Sequence, residues 1–123
     1  MKNNILYFFI FLFLVSCKEK KVIKGFDSDA WKSSRMGCEG NRLEKVNLIL
    51  TNKKEWLGID DDEIVDLLGR PERSYYYERN VRAFAYYLTK GKQCDSTEVS
   101  FGNRLIVEYN ATGYSKRIFL EKD

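Results

Sequence analysis

Leu57-Gly58-Ile59-Asp60-Asp61-Asp62-Glu63-Ile64-Val65-Asp66-Leu67-Leu68-Gly69-Arg70-Pro71 is the stretch on which the reading of this chain turns. Asp60 carries a side-chain oxygen able to accept from a backbone N–H two or three residues on. Glu63 stands where a capping-box acid reaches back. Ile64, Leu67 and Leu68 form the apolar side of a short helix. Gly69 ends it, and Pro71 prevents its continuation. Consecutive acids at a helix start complement the positive end of its dipole, so Asp60, Asp61 and Asp62 need no metal to explain them. A calcium loop requires a glycine-turned frame of about 12 residues, which is missing here. No metal ligands are expected.

Upstream, Leu43, Val46, Leu50 and Leu57 recur at helical spacing, with Ile49 and Trp56 beside them. Arg42, Glu44, Lys45, Asn52, Lys53 and Glu55 fall mostly elsewhere. The spacing predicts a helix that begins after Asn41 and is broken at Gly58. Asp27-Ser28-Asp29 before Ala30 and Trp31 marks another helix start, capped and acidic in its first turn. Gly37 and Gly40 bracket Cys38, so this first segment is one or two turns with a bend.

Downstream of Pro71 the apolar period drops to two, the period of strands. Ser74 to Glu78 reads as a strand, Arg79-Asn80 as a turn, and Ala83 to Leu88 as a strand with Phe84, Tyr86 and Leu88 on one face. Lys90-Gly91-Lys92 turns, and Glu98 to Phe101 is expected to extend an edge. Leu105 to Tyr109 follows, with Leu105, Val107 and Tyr109 together. Asn110-Ala111-Thr112-Gly113 is a hairpin loop, and Tyr114 to Glu121 the last strand, with Ile118 and Leu120 inward. Helices first and a meander after them predict an α+β fold: two short helices packed on one face of a three- to four-stranded antiparallel sheet.

The chain has 123 residues, the length of one domain. Its 21 Lys and Arg against 18 Asp and Glu leave a net charge of +3, too little for a nucleic-acid binder that works by charge alone. Histidine is absent, which removes the commonest general base and metal ligand. Lys2 precedes an unbroken apolar run from Ile5 to Val15. As a helix that run would span roughly 16 Å, about half of a hydrocarbon core, so it reads as the apolar region of a signal peptide. Leu14-Val15-Ser16-Cys17 then resembles the lipobox of bacterial lipoproteins. The resemblance implies that the Cys17 thiol takes a diacylglycerol, that Ser16 fits the peptidase, and that Cys17 becomes the new N-terminus. Lys18-Glu19-Lys20-Lys21 switches abruptly to charge. It resembles in part a surface-export signal of Bacteroidetes lipoproteins, but Lys20 stands where that pattern has an acid. The preferred reading is a linker facing the periplasm. The expected organisation is a signal peptide over 1–16, lipidated Cys17 with a charged tether over 17–24, and a single domain over 25–123.

Cys38 and Cys94 remain in the mature chain. An even pair in an exported protein suits a disulfide, with two unpaired buried thiols as the alternative. A catalytic thiol has no histidine to activate it, and two cysteines without histidine make a poor zinc site.

The stretch from Leu57 to Pro71 resembles the signature of the SmpA/OmlA (BamE) lipoproteins and their BLIP-like relatives: glycine, a hydrophobic residue, serine with Glu or Gln three residues on, then an apolar helix ending in Leu-Gly-x-Pro. Tyr86-Tyr87-Leu88, Leu105 to Tyr109 and Gly113 match the family's later strands and turn, so the likeness covers about residues 43–121. It implies two helices on a three-stranded antiparallel sheet and anchoring at the outer membrane. Val22-Ile23-Lys24-Gly25-Phe26 replaces the segment that in the barrel-assembly members lies between the lipid cysteine and the first helix. The surroundings of Trp31 and of Gly37 to Arg42 are similar to small Bacteroidetes lipoproteins, in which a Gly-Cys stretch accompanies a second cysteine in the sheet.

No nucleophile motif, phosphate loop or metal constellation is present, so no catalytic residue and no cofactor are expected. Tyr75, Tyr77 and Tyr87, interleaved with Arg79 and Arg82, are the candidate interaction residues, because Tyr and Arg are enriched at binding hot spots. Strand propensity alone also accounts for them. Asn110-Ala111-Thr112 matches a glycosylation acceptor and is read as a turn; Asp95-Ser96-Thr97 resembles a short O-glycosylation motif. The function expected is that of a lipid-anchored, non-enzymatic interaction or assembly module at the outer membrane. Its partners would be the membrane, through the anchor, and an envelope protein, with no nucleic acid. The alternative is a ligand-binding or inhibitor-type domain on the same scaffold.

Overall fold

A computed structural model describes residues 20–95 and 97–122. Residues 1–19, on which the expected signal peptide and lipidated Cys17 fall, lie outside the described residues, as does Ser96. Helix α1 spans Ser28–Ser33, and the Asp27 carboxylate accepts from the Ala30 N–H at 3.0 Å. A 3₁₀ turn at Arg35–Gly37 leads to α2 (Asn41–Thr51), α3 (Lys53–Trp56) and α4 (Asp61–Leu68). Strands β1 (Arg73–Tyr77), β2 (Val81–Tyr87), β3 (Arg104–Tyr109) and β4 (Ser115–Glu121) form one antiparallel sheet in sequence order. This is the expected α+β fold. No helix among the described residues is long and apolar enough to cross a membrane.

In the deciding stretch the Asp60 cap, the apolar side of the helix and the Gly69 stop form as expected. Asp60 accepts from the Glu63 N–H at 2.9 Å, and Ile64, Leu67 and Leu68 are buried. Gly69 sits at φ +80, and its N–H closes the last turn on Val65. The hairpin between β1 and β2 turns through Arg79 and Asn80, both at positive φ, which matches the twist of the flanking strands.

The helix before it differs from expectation in two ways. It breaks at Asn52, not at Gly58: Asn52 leaves helical geometry at φ -110, and its backbone N–H closes the last turn on the Leu48 carbonyl. Its buried face is also rotated. Leu43 is 47% exposed and Leu57 is exposed, while Arg42 is buried beside Val46 and Ile49. Arg42 turns inward because its partners are there. Its guanidinium pairs with Glu72, donates to the Trp31 and Tyr87 carbonyls at 3.1 Å each, and lies 5.0 Å from the Trp31 ring.

Three further expectations are corrected. Ile23, placed in the tether, is 6% exposed and belongs to the core with Trp31 and Trp56. The segment from Glu98 to Phe101 is loop, not strand. Gln93 organises that loop, donating to the carbonyls of Met36 and Thr89 and accepting from Gly102 N–H. Leu120 shares the inward side of β4 with Ile118 but is 44% exposed. Helix α3 sits over the start of β4, where Ser115 Oγ donates to the Trp56 carbonyl, so the far end of that side is open.

Cys38 and Cys94 are bonded, with Cα atoms 5.7 Å apart. Closing a loop of 56 residues stabilises the fold by roughly 4 kcal/mol in the chain-entropy model. The bond ties the turn before α2 to the β2–β3 loop. Beside it the chain approaches β2 backbone to backbone: a Cβ on Gly37, at φ +68, would meet the Tyr87 carbonyl carbon and oxygen at 2.6 Å.

Candidate interaction face

The two sides of the sheet carry different chemistry because alternate residues of each strand face opposite ways. Phe84, Tyr86, Leu88, Leu105, Val107, Tyr109 and Ile118 meet the helices in one continuous core. On the other side lie Ala83, Ala85 and Ile106, a second buried cluster with Tyr75 and Phe119 packed on it. No described helical residue belongs to that cluster. Small alanines make a low floor, and rings from the flanking strands lie across it.

The rim of this face is polar and paired. Glu108 meets Arg117 at 3.1 Å and Lys116 at 3.4 Å, and the Arg117 guanidinium stands 4.6 Å from the Phe119 ring. Arg104 pairs with Glu121 at 2.7 Å. Tyr75 and Tyr77 stack with ring centroids 6.4 Å apart. Beside them is a depression of about 520 Å³ bounded by Tyr77, Val81, Glu108, Arg117 and Phe119. An apolar floor, aromatic walls and a charged rim form the usual anatomy of a protein-binding patch.

The five candidate residues do not form one patch. Tyr75 and Tyr77 lie on this face, and Tyr77 is 52% exposed. Tyr87 points the same way but is buried, its ring stacked with Phe101 at 6.1 Å. The Tyr87 hydroxyl is the main influence on the Arg73 guanidinium, whose pKa it raises above its usual value. Arg82 is on the helical side, paired with Asp61 and close to the rings of Phe84 and Tyr109. Its hydrogen bond to Asp61 raises the Arg82 pKa. Arg79 occupies the hairpin turn. Period-two reading of the Tyr-rich strand separates Tyr75 and Tyr77 from Tyr76; what it missed is Phe119, Arg117 and Glu108. Their signal was the alternation of β4 itself, read for its inward residues only.

The acidic corner is occupied by its own chain. Asp60, Asp61 and Asp62 have carboxylate oxygens within 4.8 Å of one another, but Asp60 caps α4 and Asp61 pairs with Arg82. Asn110 Oδ1 accepts from the Thr112 and Tyr114 N–H groups, so Asn110-Ala111-Thr112 forms the expected turn. No protein-family model, curated protein or solved structure matches this chain.

Proposed function

We propose that this chain is a lipid-anchored, non-enzymatic interaction module of the bacterial outer membrane, held at the periplasmic face, which binds an envelope protein through the side of its sheet away from the helices. The observation that carries the reading is the Ala83–Ala85–Ile106 floor with Tyr75, Tyr77 and Phe119 around it, apolar and free of helices among the described residues. The Cys38–Cys94 bond supports export, because disulfides persist in oxidising compartments. The lipobox and the SmpA/OmlA-like stretch support the anchor and its membrane.

The test is capture from detergent-solubilised membranes with a photo-crosslinker at position 77. A discrete crosslinked protein, lost in a Tyr75→Ser, Phe119→Ser double variant that still folds, is the expected result. Capture that the double variant leaves unchanged would sink the sheet-face reading. The ligand-binding alternative draws on the 520 Å³ depression at Tyr77 and Phe119. It would be favoured by a small molecule that raises the Tm of the wild-type chain but not of Phe119→Ser.

A further inference from the structure

Lys20, the first described residue, is three residues beyond Cys17. Three fully extended residues span at most about 10 Å. Lys20 and Lys21 border a depression of about 380 Å³ whose other walls include Ile23, Asp29, Lys32 and Leu67, residues of the entry segment, α1 and α4. Ile23 is pinned in the core, and Phe26 packs its ring 5.0 Å from that of Trp56. The chain therefore enters on the helical layer. Tyr75, Tyr77 and Phe119 project from the opposite side of the sheet, which is separated from that layer by about 10 Å of packing before the rings themselves are counted.

We infer that in the acylated chain the short tether holds the helical layer against the phospholipid surface and turns the Tyr75–Tyr77–Phe119 face to the aqueous side. The inference rests on the anchor proposed above. A lipid at Cys17 lies within about 10 Å of Lys20, so the membrane meets the domain first on the side where the chain enters. The entry segment itself suits an interface. Val22 is 84% exposed, next to buried Ile23 and between Lys21 and Lys24. An apolar side chain flanked by lysines can enter the headgroup layer while the ammonium groups meet lipid phosphates. Asp27, Asp29 and Asp66 stand nearby, so contact relies on the tether and Val22 more than on net charge. A protein partner would then approach from the side away from the lipid.

The experiment uses the full chain expressed in bacteria, with its processed form purified from membranes and placed in nanodiscs of phosphatidylethanolamine and phosphatidylglycerol carrying gadolinium on a fraction of headgroups. Amide broadening by NMR should be several-fold stronger at Val22, Lys24 and Lys32 than at Tyr75, Tyr77 and Phe119. A ten-residue Gly/Ser insertion after Cys17 should erase the contrast. Equal broadening on both sides, or a contrast that survives the insertion, overturns the inference and leaves the anchor standing. Intact mass reads the anchor separately: a chain without the acyl mass overturns both.

Discussion

The two sides of the sheet bury their residues by opposite means. The helical side uses large groups: Trp31 and Trp56 from the helices meet Tyr86, Leu105, Val107 and Tyr109, all essentially inaccessible. The outer side uses the smallest apolar residue available. Ala83 and Ala85 are inaccessible because Tyr75 and Phe119 lie over them, and Arg104 and Arg117 extend along the same side paired with Glu121 and Glu108. One side is closed by a second layer of secondary structure, and its stability depends on filling space between layers. The other is closed by rings of its own strands. The first side is covered by helices, and no described helical residue belongs to the buried cluster of the second.

The largest effect expected is at the joint that pins the layers. Glu72→Ala leaves the buried Arg42 guanidinium without its counter-charge and should cost about 3–5 kcal/mol by urea unfolding. A loss below about 1 kcal/mol would show that this pair is not what holds α2 to the sheet. Next, Leu67→Ala removes a buried side chain of α4 and should cost ~2–4 kcal/mol.

Alkaline titration sharpens the contrast. Burial, the largest cause, pushes the Tyr86 and Tyr109 phenols well above their ordinary range. Unfolded tyrosine ionises near pH ~10, so the unfolded chain releases protons there while the folded one keeps them. The stability these two residues contribute is fully present below that pH and is lost as pH rises above it, by ~1.4 kcal/mol per pH unit per tyrosine. Urea unfolding across that range should show the slope, and Tyr86→Phe should remove one residue's share. Tyr86→Phe also loses the bond to the Gly69 carbonyl, 2.9 Å long, at about 1 kcal/mol.

Smaller effects follow. Asp60→Ala should cost about 1 kcal/mol as a lost cap, and calcium should leave the Tm of the wild-type chain unchanged. A calcium-dependent rise of many degrees, lost in Asp62→Ala, would make the acidic corner a metal site instead. Smallest of all, Tyr77→Ala should move stability by no more than about 0.5 kcal/mol, because the ring is half exposed and no helix rests on it. A loss as large as that of Leu67→Ala would break the comparison between the two sides.

The elements were legible where local chemistry decides them. A capping carboxylate at Asp60, a left-handed glycine at Gly69 and period-two alternation in β2 and β3 act within a few residues, and each folds as read. The candidate site was less legible. Tyr75 and Tyr77 share a face by alternation, but Tyr87 is covered by Phe101 from a loop 14 residues on, and Arg82 is drawn to Asp61 across the fold. No spacing rule encodes those meetings.

By itself, then, the sequence determined the kinds of element, their order, the α+β class and the side of each central strand that meets the helices, because caps, breakers and periodicity operate through neighbouring residues. Tertiary structure alone decided that Arg42 rather than Leu43 enters the core, that Ile23 belongs to the domain, and that Phe119 and Arg117 join Tyr75 and Tyr77 around an alanine floor. Each of these depends on a partner far away in the chain, and a buried charge or an exposed ring takes its place only once that partner is in position.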